Sequence, residues 1–460
     1  MNARYRIALR VVPILSLLLQ LMPAPLSAVE ATPAAQNEIV QGQTDEKGKP
    51  GSGAATQEQR LTLHQCIETA LKKNPTILAS MYGVDVYRSR VGEARYNYYP
   101  QLNATAEYSR IHPVSSSTST VDISGAAFDQ YASGITLNQN LVDFGKTSKQ
   151  VDISKYNLES SVSNLNTTQD AVILSVKQAY YGVLQAVRNR DVAADVLKQY
   201  QSHLDQAKGF YDVGTKARID VIKAEVDLSN AKLSLINAEN AVKIAWVTLK
   251  NVMGTPDAPE YAIEDDLLFQ NYAITLEEAK ARAFENRSDL KSIAAQRQAA
   301  ETNINLARSG YYPVLSGFAG YTWAGQTKSM QDRSWNAGLL LTVPLFSGFL
   351  TSHQVAEAKS NLYILKANEE ASRQQVLLEV SQAYLNLQAA EASIATAELA
   401  SRQAKENLDL ANGRYAAGVG SPIEVSDAFA TYVTAQANYT SALSNYKIAQ
   451  ATIEKAMGTR

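Results

Sequence analysis

The stretch YYPQLNATAEYSR occupies residues 98–110, and a related stretch, YYPVLSGFAGYTW, occupies residues 311–323. After Tyr-Tyr-Pro, each alternates between two kinds of side chain. In the first stretch one face carries Asn103, Thr105 and Glu107, and the other face is apolar. The apolar face consists of Leu102, Ala104, Ala106 and Tyr108. A period of two is typical of a β-strand with two different faces, so both stretches are predicted strands.

The alternation continues in residues 131–142 and 335–344, which predicts a second strand in each place. The chain therefore has two predicted hairpins, at about 100–142 and 313–346, and four strands. About ten residues is the length of a tilted strand that crosses a bilayer. Aromatic residues stand at both ends of these strands, as expected for the two membrane interfaces. They include Tyr98, Tyr99, Tyr311, Tyr312, Trp323 and Trp335.

The hairpins belong to a longer internal repeat. Gly214 returns as Gly418, and the motif Met-Gly-Thr at residue 253 returns at residue 457, both at an offset of 204 (418 − 214). A repeat of this length predicts a duplicated unit of helices and strands. The predicted segments are a first repeat at 61–254, a connector at 255–274 and a second repeat at 275–460.

Long helical patterns fill the rest of each repeat. Val221, Ala224, Leu228 and later apolar residues recur at alternating steps of three and four as far as Val252. This period predicts coiled-coil packing, and alanine at every second position allows close helix contact. Helical hairpins are therefore predicted at about 148–252 and 350–457. Three tyrosines share the seam of the second hairpin, and we interpret them as packing residues and not as a ligand site: Tyr432, Tyr439 and Tyr446.

The N-terminal segment is typical of an exported protein. Three arginines precede an apolar run at 11–22, and small residues follow it up to Ala28. Residues 1–28 are therefore a predicted signal peptide. Residues 29–60 are rich in Ala, Gly, Gln and Pro and are predicted to be a disordered lead-in. No later stretch is long and apolar enough for a membrane helix, so we expect membrane contact through strands.

Charge and composition exclude several classes of function. Lys plus Arg is 43 and Asp plus Glu is 45, so no basic excess is available for nucleic acid. The single cysteine, Cys66, excludes an internal disulfide framework, and the four histidines have no metal-ligand spacing. No nucleophile elbow and no phosphate-binding glycine loop follows a strand. We expect no enzymatic activity, no cofactor and no metal.

Four strands leave two open edges, which lipid does not tolerate. Since the smallest usual membrane barrel has about eight strands, the chain must close its sheet with copies of itself. A dimer would give eight strands with a plugged interior, whereas a trimer would give twelve strands and room for a conduit. The Ser/Thr-rich loop at 113–121 is interpreted as the extracellular tip of the first hairpin.

Together, the Tyr-Tyr-Pro strand starts, the heptad helices, the duplication and the turn glycines Gly214 and Gly418 resemble the TolC-like outer membrane factors over residues 61–459. The resemblance implies an α+β membrane protein: a trimeric twelve-stranded β-barrel in a Gram-negative outer membrane, continued by an antiparallel α-helical coiled-coil barrel in the periplasm. It implies the exit duct of a tripartite export system, either an efflux pump or type I secretion. The implied partners are a periplasmic adaptor and an inner-membrane pump or ABC exporter.

The resemblance also implies roles for residues near the helical turns. The turn tips would dock the adaptor, and they comprise Val213, Gly214, Thr215, Ala417, Gly418 and Val419. Acidic residues near the same end would ring a closed aperture, and the candidates are Asp205, Asp409 and Glu406. The glycine-containing tips are also what any helical hairpin needs for its turn, and the acidic residues are also typical of a solvated helix face. Neither explanation requires a function. In the second turn, Ser421, Pro422 and Glu424 predict a capping box.

The alternative interpretation is a periplasmic coiled-coil scaffold that holds partners without forming a channel. The amphipathic strands with aromatic ends favour the duct, because a soluble scaffold has no need for them. Drug efflux, metal efflux and protein secretion would use the same duct, with the substrate selected by the partners upstream.

Overall fold

A computed structural model describes residues 60–112, 127–259 and 261–459 of the chain. The predicted signal peptide, nearly all of the lead-in and the loop at 113–121 lie outside the described residues. Within these ranges the chain is mainly helical, with one four-stranded sheet and one short two-stranded sheet. No described helix combines the length and the apolar content that a membrane crossing requires.

The same order of elements occurs in both halves of the chain. The first half contains β1 (Arg60–Leu61), α1 (Leu63–Lys73), α2 (Pro75–Ala94), β2 (Gln101–Ile111), β3 (Phe128–Val142), α3 (Lys146–Asp212) and α4 (Arg218–Val252). The second half contains β4 (Ala262–Ile263), α5 (Leu276–Asn286), α6 (Ser288–Arg308), β5 (Val314–Gly325), β6 (Asp332–Thr342), α7 (Leu350–Ala416) and α8 (Pro422–Ala456).

The long helices α3 and α7 have 67 residues each, and their partners α4 and α8 have 35 each. At 1.5 Å per residue, a helix of 67 residues extends roughly 100 Å. Neither α3 nor α7 contains proline, so nothing in the sequence interrupts them. Each starts after a residue in the left-handed region, Gly145 (φ 88°) before α3 and Phe349 (φ 66°) before α7.

The four long strands form one antiparallel sheet in the order β2-β3-β5-β6. Leu102 lies opposite Leu137, Tyr108 opposite Tyr131, and Tyr321 opposite Trp335, so like faces coincide across the sheet. A register shift between Asn140 and Val142, which the alternation did not predict, marks a bulge in β3 before the helix. Many apolar side chains of this sheet are exposed in the single chain, among them Trp335 at 77%.

The helices pack around alanine-rich seams, as the heptad pattern predicts. Ala224 and Ala231 are buried along α4, and Ala428 and Ala442 are buried along α8. The prediction that the tyrosine stripe is for packing is confirmed at Tyr446, which is fully buried. Its hydroxyl donates to the carbonyl of Gln270 (2.8 Å) and accepts from the backbone N–H of Tyr272 (3.0 Å). The ring thus packs in the seam while its polar end fixes the segment that follows β4.

The segment predicted as a connector has structure of its own. The strand β4 pairs in parallel with β1, which joins the start of the first half to the segment between the halves. The buried hydroxyl of Tyr180 donates to the carbonyl of Glu264 (2.7 Å), which ties this small sheet to the middle of α3. Two-residue strands lack a readable period, so the sequence gives no sign of this contact.

A buried guanidinium fixes the second half at the end of α8. Arg287 is 6% exposed, and it donates to Asp289 (2.6 Å), to Glu379 on α7 (2.7 Å) and to the carbonyl of Ala456 (3.4 Å). Burial alone would raise the pKa of both carboxyls, but the hydrogen bonds from Arg287 outweigh burial and lower the pKa of Asp289 and of Glu379. The cluster is therefore a charged junction of three helices.

Candidate functional site

The first helical tip joins α3 to α4. Gly214 adopts a φ of 77°, a conformation that favours glycine, and its N–H donates to the carbonyl of Tyr211 (2.9 Å). The N–H of Thr215 donates to the carbonyl of Phe210 (2.9 Å), which closes the last turn of α3. Val213 at the apex is 72% exposed. The first tip therefore presents an aliphatic side chain on a tightly closed turn.

The second tip joins α7 to α8 and has the same backbone. Gly418 adopts a φ of 78°, and the N–H of Val419 donates to the carbonyl of Arg414 (3.1 Å). Val419 is 71% exposed, much like Val213. Gly420 lies so close to the end of α7 that a Cβ there would stand 2.7 Å from the backbone nitrogen of Tyr415. Glycine is thus required at position 420 for a steric reason that the sequence did not reveal.

The predicted capping box at the second tip is wrong, although the N-cap serine and the proline after it are placed as predicted. Ser421 is the N-cap of α8 and Pro422 is its first residue, as predicted, and the Ser421 hydroxyl accepts from the N–H of Ile423 (3.1 Å). The carboxylate of Glu424 lies 3.4 Å from the guanidinium of Arg414 instead of returning to the N-cap. The Arg414 guanidinium on α7 attracts the Glu424 carboxylate more strongly than the backbone N–H of Ser421 does. At the first tip Ala217 is an N-cap without a side-chain hydrogen bond, as expected for alanine.

The structure places all six predicted docking residues on the surface of the two tips. The exposed set is Val213, Gly214, Thr215, Ala417, Gly418 and Val419. The tips are neighbours, because the Lys216 ammonium of the first donates to the Gly420 carbonyl of the second (3.5 Å). Four helix ends thus form one composite surface of small and aliphatic side chains.

The predicted aperture carboxylates are exposed, but they lie on different helices. Asp205 on α3 accepts from the Gln201 amide (3.2 Å). Asp409 and Glu406 on α7 form no hydrogen bond or ion pair within the described part of the chain. Asp205 and Asp409 share no hydrogen-bond partner among the described residues. A ring of carboxylates would require more than one copy.

An aromatic cluster that the sequence did not reveal lies just above the tips. The rings of His203 and Tyr415 stand 4.5 Å apart, and Phe210 meets Tyr415 edge-on at 5.8 Å. His203 and Tyr415 are both buried, and the Tyr415 hydroxyl has no hydrogen-bond partner among the described residues. Burial lowers the pKa of His203 and raises the pKa of Tyr415. Both groups are therefore neutral near pH 7, which suits packing between α3 and α7.

The ends of the sheet carry the aromatic residues that the sequence singled out. Most of them are exposed: Tyr98, Tyr99, Tyr311, Tyr312 and Trp335. Trp323 is partly buried and packs on the ring of Tyr321 (4.5 Å). The turns from strand to helix add exposed rings that the alternating pattern does not include, at Phe144, Phe346 and Phe349. The signal that marks them is an aromatic residue a few positions after the end of a strand.

The described residues contain no cluster of three or more His, Cys, Asp or Glu that could hold a metal ion. The thiol of Cys66 is buried, and burial raises its pKa to about 12, so this thiol is not a nucleophile at neutral pH. The features that remain are the exposed tips, the apolar helix faces and the two edge strands of the sheet, all of which can contact other chains.

Residues 66–255 and 281–459 match the outer membrane efflux protein family. The chain belongs to this family. The resemblance to TolC-like factors is thereby confirmed. Outer membrane protein TolC of Salmonella enteritidis is 26% identical over 426 residues, covering 89% of this chain and 84% of that protein. Toluene efflux pump outer membrane protein TtgC of Pseudomonas putida is 23% identical over 384 residues, covering 81% of this chain and 78% of that protein.

Solved structures of outer membrane channels share the fold of this family member. CusC aligns with a TM-score of 0.75 at 16% identity, covering 93% of this chain and 99% of that chain. VceC of Vibrio cholerae aligns with a TM-score of 0.72 at 17% identity, covering 86% of this chain and 96% of that chain. The arrangement of a few strands with long helices is therefore the fold of the outer membrane channels.

Proposed function

We propose that three copies of this chain form an outer-membrane exit duct for efflux, with a twelve-stranded barrel in the membrane of a Gram-negative bacterium. The observation that carries the proposal is the order of the sheet. Among the described strands, β2 and β6 each pair on one side only, and both flank exposed apolar faces. Because lipid cannot hydrogen-bond a strand edge, each sheet must meet the edges of other copies.

The helical wall supports the same assembly. Among the helices of the two hairpins, the packing order within one chain is α4, α3, α8, α7, so α4 and α7 are the outer members. Large apolar side chains are exposed on α4, including Ile222, Ile236 and Val247, and on the half of α7 nearer the tip, including Leu385 and Leu410. Apolar faces of this extent mark a contact with another protein surface. We infer that α7 of one copy packs on α4 of the next, and that the two halves arose by duplication.

The tips would dock a periplasmic adaptor. Two closed turns stand side by side and expose small and aliphatic side chains around Val213 and Val419. Such a surface suits close contact with the tips of other helical hairpins. Asp205, Asp409 and Glu406 are exposed near these tips, and in a symmetric assembly they would form rings that attract cations at the aperture.

The duct would be passive, and its energy would come from an inner-membrane pump or an ABC exporter. One relative bears the name of a toluene efflux pump component, which favours small-molecule efflux over secretion. The chain itself would carry out no reaction, in keeping with a family of channel proteins.

Two measurements on the expressed protein test this function. Unboiled outer-membrane extract should give a gel band at three times the mass of the chain, and boiling should convert it to the monomer band. Purified protein should open discrete channels in planar lipid bilayers. A chain that fractionates as a soluble protein, or that stays monomeric and silent in bilayers, would contradict the proposal.

A further inference from the structure

An open cavity of about 330 Å³, lined by both polar and apolar residues, lies where the helices meet the sheet. It is lined by the first residue of α3, by the end of α6 and by the first turns of α7. Strand β3 ends at Val142 and strand β5 starts at Val314, so the cavity adjoins the helical end of the sheet. Its volume is at the small end of the range of about 300–1,000 Å³ for ligand sites, which suits a headgroup-sized molecule.

Two opposite charges line this cavity without pairing. The Lys146 ammonium and the Glu357 carboxylate form no hydrogen bond or ion pair with each other or with any other described residue. The carboxylate of Asp143 lies near Lys146, but its oxygens accept from the backbone N–H groups of Gly145 (3.1 Å) and Thr147 (2.9 Å). Asp143 thus holds the turn, and the Lys146 ammonium keeps its hydrogen-bonding capacity.

Neutral polar groups complete the lining. The side-chain amides of Asn303, Gln354 and Asn361 lie along the same cavity. Lys146, the first residue of α3, supplies the positive charge of the lining, because the Asp143 carboxylate already accepts from the N–H groups at the start of this helix. Lys146 therefore favours a negative group in the cavity, and Glu357 favours a positive one that can donate hydrogen bonds.

Exposed aromatic rings border the cavity. Phe144 precedes Lys146 by two residues, and its ring stands 6.2 Å from the ring of Tyr312. Both rings are exposed, as is Tyr311, which follows Gly310 of the cavity lining. Aromatic rings at such positions in a membrane protein lie at the level of the lipid headgroups. A molecule in the cavity would thus have its apolar part beside these rings.

We infer that this cavity binds the headgroup of a zwitterionic phospholipid that carries a phosphate and a primary ammonium, as in phosphatidylethanolamine. Lys146 binds the phosphate, and Glu357 with the neighbouring amides accepts hydrogen bonds from the ammonium. A quaternary ammonium, as in phosphatidylcholine, has no N–H to donate and binds less well. The inference rests on the proposed function, because it requires the sheet to lie in the membrane.

Native mass spectrometry of the purified trimer, titrated with either phospholipid, tests the inference. The wild type should retain phosphatidylethanolamine in preference to phosphatidylcholine. Glu357→Gln should abolish the preference, since the amide replaces the charged acceptor of the ammonium. Lys146→Gln should weaken the retention of both lipids by about tenfold, because hydrogen bonds to charged groups are the strong ones. Equal retention of the two lipids by the wild type, or no change in the variants, would overturn the inference.

A control variant and a separate readout complete the design. Lys155→Gln removes a cation from α3 outside the cavity, where Lys155 pairs with Asp152 (3.4 Å), and it should leave lipid retention unchanged. Each variant is also measured for the heat-sensitive trimer band and for channels in bilayers. If the wild type opens channels but does not retain phosphatidylethanolamine selectively, the lipid site alone is rejected. If the wild type opens no channels, the proposed duct itself is rejected.

Discussion

The imidazole ring of His203 on α3 lies 4.5 Å from the phenol ring of Tyr415 on α7, and both rings are buried. This contact joins the two halves of the chain just above the tips. Tyr211 occupies the place of Tyr415 in the first half, yet it is 44% exposed. The two halves thus use the same sequence position differently, because only α7 contributes its tyrosine to the contact between the halves.

His203→Phe should make the protein less sensitive to acid. Burial lowers the pKa of His203 in the folded chain, an effect that the Asp227 carboxylate opposes and the Lys223 ammonium reinforces. The unfolded chain therefore takes up the proton first as the pH falls below about 6.5, and the free energy of unfolding falls with it. Circular dichroism melts at about pH 7.5 and 5.5, on either side of the ordinary His pKa, should show a smaller acid decrease in apparent Tm for the variant.

The comparison isolates one group because every other titrating residue is common to both proteins. Phenylalanine keeps a ring against Tyr415, so the variant should melt near the wild type at the higher pH. An equal acid decrease in the two proteins would show that His203 takes up no proton on unfolding in this range.

Gly420→Ala should destabilise the second tip. A Cβ at this position would stand 2.7 Å from the backbone nitrogen of Tyr415, and overpacking of this kind costs about 1–3 kcal/mol. Gly413→Ala is the matched control, since Gly413 lies inside α7 with open space around its Cβ position. Alanine there should stabilise the helix by about 0.5–1 kcal/mol. Hydrogen exchange of the tip peptides reports both effects, and equal protection in the two variants would contradict the steric argument.

The sequence predicted the features that repeat with a regular period. Alternation located the four long strands, and the heptad pattern located the long helices within a few residues. It did not predict contacts between segments far apart in the chain, such as His203 with Tyr415 or β1 with β4. Nor did it predict that Glu424 would pair with Arg414 instead of accepting a hydrogen bond from the N-cap of α8. These contacts depend on which helices become neighbours, and a pattern along one helix does not contain that information.

Arg287→Met should destabilise the fold far more than Arg282→Ala. The first change leaves the partly exposed carboxylates of Asp289 and Glu379 without the Arg287 guanidinium, which should cost about 1.5–3 kcal/mol, less than for a fully buried pair. The second change breaks an exposed pair one helical turn apart, Arg282 with Glu278, worth about 0.3–0.5 kcal/mol. Urea unfolding of the detergent-purified protein measures both, and similar midpoints would show that the buried cluster contributes little.

The same cluster predicts a loss of stability in acid. The pKa values of Asp289 and Glu379 are lower in the folded chain than their ordinary values of about 4, so the contribution of these carboxylates is complete above that pH. It is lost as the pH falls through the lowered folded values. Arg287→Met should therefore reduce the decrease in apparent Tm below about pH 4. A decrease as steep as that of the wild type would assign the acid sensitivity to other groups.

Cysteines on the two edge strands should form disulfides between copies. Asn103 lies on β2 and Thr342 on β6, both near the helical end of the sheet. In a Cys66→Ser background, Asn103→Cys with Thr342→Cys should give covalent dimers and trimers on oxidation. Asn138→Cys with Thr342→Cys is the control, because Asn138 on β3 already pairs on both sides within its own chain. Cross-linking by the control alone would contradict the proposed closure between β2 and β6.

Asp205→Ala together with Asp409→Ala should raise the conductance in planar bilayers and weaken block by multivalent cations. Both carboxylates are exposed near the tips, and three copies would repeat each one around the aperture. Rings of carboxylates bind multivalent cations, so their removal should shift the blocking concentration upward. Glu398→Ala is the control, since Glu398 is exposed on the same helix as Asp409 but about three turns farther from the tip. If the control changes block as much as the double variant does, the narrowest point lies elsewhere along the duct.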